Sequence, residues 1–283
     1  MHWFFNRSSS RLQAVVLAAG VIVCYSQARA QSQPPTGTGS VQQILNSLWG
    51  TETDFSVGAG AGIDQRYMGA QDFGPALLPM ISVSRGIFFI DTIKGAGVQY
   101  LSASGFYIGE GLNYDPGRDN ENSLWRPGSD NLQGMGDVKG TITNTVTVSQ
   151  QIVPWLSIDA QAEFGLNGAR GNQYQFGLES LAYHTTEDSL TLDLDARMGD
   201  GTYNQTYFGV TQAQSLSSGF ARYSPGFGMY AYSLTVTWQH TFNKHWSTET
   251  LLTGSLYTSK VAASPIVQRR FGLTLLPTLN YAF

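Results

Sequence analysis

The sequence predicts an all-β fold, a transmembrane antiparallel up-and-down β-barrel, on three observations. From residue 54 onward, apolar and polar residues alternate with a period of two, which is the spacing of side chains on the two faces of a strand. The composition is rich in turn-forming and aromatic residues, with 32 Gly, 15 Phe and 14 Tyr. Charged residues make up only 13% of the chain, against roughly 25% in soluble domains. In lipid, only a closed barrel satisfies every backbone group of a strand.

The first 30 residues have the pattern of a secretory signal peptide. Basic residues up to Arg11 precede an apolar run at positions 12–23, and Ala28-Arg29-Ala30 matches an A-x-A cleavage site. The run is too short to span a bilayer as a helix, and we expect cleavage after Ala30. No apolar stretch of about twenty residues follows, so no transmembrane helix is predicted.

The composition beyond residue 30 excludes several classes of function. Cys24 is the only cysteine, so residues 31–283 offer no disulfide, thiolate metal site or cysteine nucleophile. Without the three arginines of the signal peptide, 16 − 3 = 13 basic residues face 20 acidic ones, a net charge of −7. This negative charge disfavours nucleic-acid binding.

Residues 31–53 are predicted to be a periplasmic linker with a short amphipathic helix. After a polar, proline-containing stretch, Ser40 is placed to cap a helix. Its apolar positions share one face: Val41, Ile44, Leu45, Leu48 and Trp49. The favoured interpretation is a helix that packs against the barrel rim or the membrane interface, because one-faced helices are ordinary packing units. The alternative is a plug or a periplasmic docking element, with a partner contacting Ile44, Leu45, Leu48 and Trp49.

Residues 54–283 are predicted to form the barrel, with about twelve strands. The clearest apolar face consists of Tyr230, Tyr232, Leu234, Val236, Trp238 and Phe242. Its length is roughly 28 Å at ~3.3 Å per residue and ~45° tilt, close to the ~25 Å apolar band of outer-membrane barrels. The strands are placed near 54–66, 75–85, 87–93, 96–103, 104–115, 136–151, 154–166, 173–185, 188–199, 228–242, 246–258 and 268–283.

The lengths of the joins support this assignment. An even number of strands puts both chain ends on one side, taken as the periplasm. The tight joins near residues 85, 154, 187 and 244 then fall on that side, and the long joins 116–135 and 200–227 fall outside. The join at 102–104 has the weakest signal, so ten to fourteen strands fit the pattern.

Asp193, Asp195 and Arg197 lie on the polar face of one strand, which predicts a charged row in the lumen. The spacing brings the two carboxylates to about 7 Å, a separation that also suits acid–base hydrolysis. The favoured interpretation is an ionic row that fills a narrow barrel, because charge networks need not be catalytic.

Other motifs give no catalytic, cofactor or metal site. The G-x-S-x-G motif is absent, and metal-ligand spacing is missing among the histidines of residues 31–283, His184, His240 and His245. A bare lumen wall is favoured over a phosphate loop for three glycines on one strand face, Gly58, Gly60 and Gly62. The acidic loop 115–137 lacks the spacing of a calcium loop, which favours a solvated loop over a cation site.

Several short stretches, in order along the chain, resemble one family of Gram-negative outer-membrane proteins. They are Tyr67-Met68-Gly69, Pro75 with Leu78-Pro79, Gly86-Ile87-Phe88-Phe89, Tyr114-Asp115-Pro116-Gly117-Arg118, Leu132-Gln133-Gly134-Met135-Gly136-Asp137, Tyr207-Phe208-Gly209-Val210, Ser264-Pro265 and Tyr281-Ala282-Phe283. The chain is therefore similar to the MltA-interacting protein family, MipA/OmpV, from about residue 54 to its end.

The resemblance implies a non-enzymatic scaffold in the outer membrane that links a lytic transglycosylase to a penicillin-binding protein. Other members resemble porins or surface adhesins, so a small-solute channel or an adhesin stays an alternative; an outer-membrane hydrolase has the least support. The family brings no catalytic residues. We expect the long acidic loop to be shaped by Gly117, Arg118, Gly134, Gly136 and Asp137, with an Arg118–Asp137 ion pair. A terminal aromatic is typical of outer-membrane barrels, which marks Tyr281 and Phe283 as the barrel-assembly signal.

The sequence leaves the identity of the partners, the openness of the lumen, the oligomeric state and the role of the loop 200–227 undecided.

Overall fold

Twelve antiparallel strands close into a barrel in a computed structural model that describes residues 48–50, 52–168 and 170–283. The strands are β1 (Thr53–Gln65), β2 (Phe73–Arg85), β3 (Phe88–Asp91), β4 (Gly95–Leu101), β5 (Phe106–Asp115), β6 (Thr141–Val153), β7 (Leu156–Gly165), β8 (Asn172–His184), β9 (Asp188–Gly199), β10 (Gly228–Thr241), β11 (Trp246–Tyr257) and β12 (Phe271–Ala282). Each strand pairs with its sequence neighbours, and β12 pairs with β1. The predicted fold class and strand number are confirmed. The signal peptide, Ile44 and Leu45 lie outside the described residues.

The two faces of the barrel wall differ in polarity, as the alternation predicts. On β10, Thr235 and Thr237 face the lumen and are buried, whereas Leu234 and Trp238 face outward and are about half exposed. The same arrangement holds on β12, where Thr278 and Asn280 are buried and Leu279 is exposed. A continuous apolar outer surface of this extent is unusual in water, so the wall is suited to lipid.

One aromatic residue predicted on the outer face points into the lumen. The pairing of β10 with β9 shifts between Met229 and Ala231, which places a β-bulge at Tyr230. Tyr230 is 1% exposed, whereas Tyr232 is 45% exposed on the outer face. The prediction for Tyr230 is therefore wrong, because the extra residue reverses the direction of its side chain.

The two ends of the barrel have different connections. We call the end that carries the start of β1, the end of β12 and the short turns 86–87, 102–105, 154–155, 185–187 and 242–245 the terminal end. The opposite end, which we call the loop end, carries the connections 66–72, 116–140, 166–171, 200–227 and 258–270. The connection 92–94 points the same way but lies lower in the wall, because β3 and β4 are short. Closure at the terminal end includes stacking of Phe283 on Phe55 at 4.8 Å between ring centroids and a 3.1 Å hydrogen bond from the Phe283 amide to the Phe55 carbonyl.

The loop-end connections contain four short helical segments. These are a 3₁₀ turn (Asp130–Leu132), α1 (Gly201–Phe208), α2 (Gln212–Ser218) and α3 (Ser259–Ala262). Asp200 caps α1 by accepting a 2.7 Å hydrogen bond from the Tyr203 amide. Strand β6 begins at Thr141 and β12 at Phe271, later than the predicted 136 and 268, because the preceding residues belong to the loops. Among the described residues, no helix combines the length and apolar character needed to cross a membrane.

Candidate functional site in the capped lumen

The lumen at mid-height is filled by buried polar side chains. Asp193, Asp195 and Arg197 all lie on the inner face of β9 and are at most about 5% exposed. The Gln175 amide donates to Asp195 at 2.9 Å, and Arg197 Nη2 lies 3.4 Å from the other oxygen of the same carboxylate. Hydroxyl pairs such as Thr235–Thr253, at 2.9 Å, continue this lattice across β10 and β11.

The lumen wall also carries an excess of carboxylates over cations. Inward-facing acids on four strands are within electrostatic range of one another: Asp159, Glu179, Asp193, Asp195 and Glu249. The Asp159 carboxylate lies directly over Gly177, where an added Cβ would be 2.2 Å from it. Within the described part of the chain, these and other His, Cys, Asp and Glu residues form no group of three or more that could hold a metal ion.

The histidines lie away from these acids. His240 Nδ1 is 2.9 Å from Asp188 Oδ1, and His245 Nδ1 is 2.8 Å from the Ala282 carbonyl oxygen, both at the terminal end. The fold thus does not bring an imidazole to Asp193 or Asp195. The glycine row of β1 is not a bare wall either, because side chains of β12 cover it: an added Cβ at Gly58 would lie 2.1 Å from Asn280 Oδ1.

A cap of packed loops covers the loop end; it consists of residues 66–72, 116–140, 200–227 and 258–270. Tyr203 and Phe208 of α1 pack on Tyr230, with ring centroids 5.5 and 5.6 Å apart. A second cluster joins all four loops through Tyr67, Ala70, Leu132, Met135, Val210 and Ile266. Burial is the main reason that the pKa of Tyr67 is raised to about 12 and that the pKa of Tyr203 lies well above its usual range.

Arg170 fixes the cap to the barrel. Its buried guanidinium forms ion pairs with Asp115 at the end of β5 and with Glu163 on β7, and it lies 5.8 Å from the centroid of the Tyr203 ring. Removal of either partner from such a buried pair leaves an uncompensated charge, which is strongly destabilising.

Arg118 is buried in the cap without a carboxylate partner among the described residues. Its Nη1 donates to the Tyr207 carbonyl oxygen at 2.9 Å, and the rings of Tyr67 and Tyr207 lie about 6 Å from its guanidinium. Burial lowers the pKa of Arg118, and the two tyrosines partly oppose this effect. An arginine nevertheless stays charged, so Arg118 is a buried cation.

A cavity of about 320 Å³ lies beneath the cap. Its inner wall is polar and includes Gln161, Glu163, Gln175 and Arg197, and its roof includes Arg118 and Tyr207. The cavity also reaches the barrel wall, where it is lined by residues of β2 and β5.

At the terminal end, the chain before β1 is held against the turn between β2 and β3. Residues 48 and 49 are helical, and the Leu48 carbonyl accepts a 3.0 Å hydrogen bond from the Ile87 amide. The Trp49 ring packs on Phe88 at 4.8 Å, and Arg85 Nε donates to the Trp49 carbonyl at 3.3 Å.

Comparison with known proteins identifies the family. The family described as MltA-interacting protein MipA matches residues 57–283. The chain belongs to this family. No curated protein gives a significant match.

Solved barrels resemble this MipA-family chain only distantly. They include the NanC porin (9% identity, 80% of this chain and 98% of that chain, TM-score 0.41) and the toluene transporter TbuX of Ralstonia pickettii (10% identity, 83% and 90%, TM-score 0.39). A loop-deletion mutant of OmpT from Vibrio cholerae has 7% identity over 82% and 99%, with a TM-score of 0.37. Likenesses at these scores carry no information on function.

The loop-shaping residues of this MipA-family protein are only partly placed as the resemblance implies. Gly117, Gly134 and Gly136 have φ between +75° and +82°, a region that favours glycine. The expected Arg118–Asp137 ion pair is wrong, because Arg118 turns inward to the carbonyls of α1. The Asp137 carboxylate instead accepts a 3.0 Å hydrogen bond from the Asn120 amide.

Sequence reasoning missed Arg170 and the tyrosines of α1 as the residues that hold the cap. Arg170 and Tyr203 are separated by 33 positions and belong to different loops, so no local pattern connects them. The one available signal was the presence of Tyr and Phe in a long loop, since large apolar rings are usually buried.

Proposed function

We propose that this MipA-family protein is a non-enzymatic binding protein of the outer membrane that holds murein-cleaving and murein-synthesising enzymes at its periplasmic end. The family description names an interaction with MltA, which supports a protein partner. A lytic transglycosylase is the first partner that the resemblance implies. A penicillin-binding protein is the second partner that the resemblance implies. The apolar outer face of the barrel supports location in the outer membrane, the membrane in which such barrels are typical.

The observation that carries the proposal is the docked segment of residues 48–50 at the terminal end. Its backbone is fixed to the β2–β3 turn, yet Leu48, Trp49 and the neighbouring Phe88 stay partly exposed. Exposed aromatic side chains on a fixed backbone are typical of the centres of protein interfaces.

Capture of a purified MltA-type lytic transglycosylase by the immobilised barrel tests this surface. We expect Leu48→Ser with Trp49→Ser to weaken capture by roughly tenfold or more, because loss of an aromatic hot spot costs ~2 kcal/mol or more. The matched control is Leu124→Ser with Trp125→Ser, the same residue types in the loop-end cap, where both are more exposed than Leu48 and Trp49. Equal capture by both double variants would argue against the docked segment as the binding surface.

A small-solute channel is the second candidate function, favoured by the cavity of about 320 Å³. The packed cap and the buried lumen lattice argue against a continuous pore. Conductance in planar bilayers separates the two functions: we expect no discrete openings from the intact protein, and regular openings would support the channel.

A further inference from the structure

We propose that a gap in the barrel wall between β2 and β5 admits a single-chain anionic amphiphile from the surrounding membrane into the cavity beneath the cap. We call this gap the lateral opening. It is bounded below by residues 92–94, on its sides by residues 74–78 and 113–117, and above by residues 123–127. This inference goes beyond the binding of murein enzymes and does not depend on it.

The lateral opening exists because two strands are too short. Strand β3 has four residues and β4 has seven, whereas β2 has thirteen. At ~3.3 Å per residue and ~45° tilt, β3 rises only roughly 9 Å, against an apolar band of ~25 Å. The hairpin of β3 and β4 also lies between β2 and β5, which places these two strands three strand spacings apart, roughly 14 Å. Above the hairpin, part of the apolar band therefore has no strand wall.

The upper edge of β2 has the composition of an unpaired edge. Within the described chain, residues 73–80 pair only with β1, and the last contact towards β3 is between Ile81 and Thr92. Odd-numbered residues of β2 direct their backbone groups to this open side, as Ile81 does. Pro75 and Pro79 remove two of the N–H groups that would otherwise be unpaired there.

An unpaired strand edge is tolerated within the membrane only where it is buried in protein or lines a water-filled cavity. Residues on both edges line the cavity, namely Pro75 and Leu77 on β2 and Asn113 and Tyr114 on β5. The lateral opening therefore leads from the outer face of the wall to the lumen.

The outer rim of the lateral opening is apolar. Leu77 is 51% exposed and Tyr114 is 63% exposed on the two sides, and Trp125 in the roof is 82% exposed. Such a rim suits an acyl chain that enters from lipid, because the chain then contacts apolar side chains and not polar groups as it passes through the wall.

Two buried arginines line the cavity, Arg118 in its roof and Arg197 in its inner wall. Both are at most 3% exposed, and the Nε of each has no hydrogen-bond partner among the described protein atoms. A buried N–H of a guanidinium is costly to leave unpaired. A carboxylate or phosphate head group would supply the missing acceptor.

The carboxylates that line the cavity are already engaged by the protein. Asp115 and Glu163 form ion pairs with Arg170, and Asp64 accepts hydrogen bonds from Thr274 Oγ1 and from the Gln65 amide. The Nε groups of Arg118 and Arg197 therefore stay available to an anionic ligand, while Arg197 Nη2 lies 3.4 Å from Asp195 and Nη1 and Nη2 of Arg118 donate to carbonyls of α1. The volume of about 320 Å³ is at the lower end for small-molecule sites, which fits one acyl chain with its head group rather than a lipid with several chains.

Ligand displacement tests the proposal on residues 31–283 refolded into nanodiscs of zwitterionic lipid. The probe is dansyl-undecanoate, whose fluorescence reports entry into an apolar site. We expect saturable binding that dodecanoate displaces, with dodecanol roughly tenfold weaker because it lacks the anionic head. Equal displacement by the acid and the alcohol would overturn the role of the arginines.

Two variants locate the site. Arg197→Gln should weaken the binding of dodecanoate roughly tenfold and leave the binding of dodecanol unchanged.

Ala76→Trp narrows the lateral opening from the inner face of β2, and we expect the affinity for dodecanoate to fall at least tenfold. Its matched control is Ala61→Trp, at nearly the same height but on the outer face of β1, since Gly62 pairs with Ala76. Equal binding by the two tryptophan variants would overturn the lateral route.

Photocrosslinking covers the case in which Ala76→Trp fails to fold, as judged by gel mobility with and without boiling. A diazirine-bearing fatty acid in the nanodisc should label residues 74–78 and 113–117 of the unaltered protein. Labelling confined to the outer surface of β6–β12 would overturn the proposal.

Discussion

The barrel wall has two unlike sides. On the long side, β6–β12, every strand has ten or more residues and its inner face carries buried polar and charged groups. On the short side, which we define as β3–β5, the inner face includes Gly97, Gly109 and Gly111, and β3 and β4 stop well below the loop end.

The difference shows how strand length and lumen chemistry are related in this protein. The long side holds the carboxylates, Arg197 and the hydroxyl pairs, so its strands are fastened to one another through the lumen. The short side has few side chains that cross the lumen, and Phe89 and Tyr107 lie over its glycines instead. Stability is therefore expected to come from the long side and the cap, whereas the short side leaves room for access.

The largest effect is expected where the two sides are tied together, at Arg170. Arg170→Ala leaves Asp115 and Glu163 as unpaired charges, and we expect the free energy of unfolding to fall by about 4 kcal/mol. Urea unfolding in detergent measures it. Arg222→Ala, at an exposed arginine in the cap, is the control and should change stability by less than about 0.5 kcal/mol. A similar small effect for Arg170 would show that the cap is not held by this residue.

The next effect distinguishes the inner from the outer face of the long side. Tyr230→Ala removes a buried ring that packs on Tyr203 and Phe208, and we expect the free energy of unfolding to fall by about 3 kcal/mol. Tyr232→Ala, on the outer face, should cost less than about 1.5 kcal/mol. If the two losses were equal, the bulge at Tyr230 would not direct its side chain inward.

A pair of threonines compares the two sides directly. Thr235→Val on the long side leaves the Thr253 hydroxyl buried without its partner, which we expect to cost about 2 kcal/mol. Thr92→Val on the short side removes the 2.9 Å hydrogen bond that the Ile81 amide donates, and we expect the free energy of unfolding to fall by about 1 kcal/mol. Hydrogen exchange at Ile81 should quicken in Thr92→Val alone; unchanged exchange would mean that this hydrogen bond does not hold the hairpin.

The smallest effect concerns a carboxylate on the outer face of the short side. Glu110 faces outward on β5 and accepts a 3.0 Å hydrogen bond from the Asn144 amide. Because a charge on the lipid face is destabilising, Glu110→Leu should raise the free energy of unfolding by about 1 kcal/mol in lipid vesicles. A loss of stability instead would indicate that Glu110 contacts a second protein in the membrane.

Much of the fold was predictable because strand pairing in a barrel is local. The alternation of Leu190, Leu192 and Leu194 with Thr191 and Asp193 marks a strand on sequence alone, and the tight turns set the pairing of each strand with the next. The extent of β3 was less predictable, because the interval 87–93 contains one apolar-rich run. Only the structure shows that pairing ends at Asp91: beyond it, the Ile81 amide donates to the side-chain hydroxyl of Thr92 and not to a backbone carbonyl of β3.

The candidate site was predictable only in part. The inward direction of Asp193, Asp195 and Arg197 follows from their spacing. In contrast, the partner of Arg118 depends on the position of α1, which starts 83 residues later in the chain. The expected ion pair of Arg118 with Asp137 was reasonable by charge, but the Arg118 guanidinium donates to backbone carbonyls of α1 instead.

The sequence by itself determined a closed barrel of about twelve strands with an apolar outside and a polar inside, because side chains alternate faces strictly along a strand. The tertiary structure alone decided how the loops form a cap, where Arg118 and Arg170 bind, and where the wall opens between β2 and β5. Those features depend on contacts between residues far apart in the chain, and a two-residue period carries no information about them.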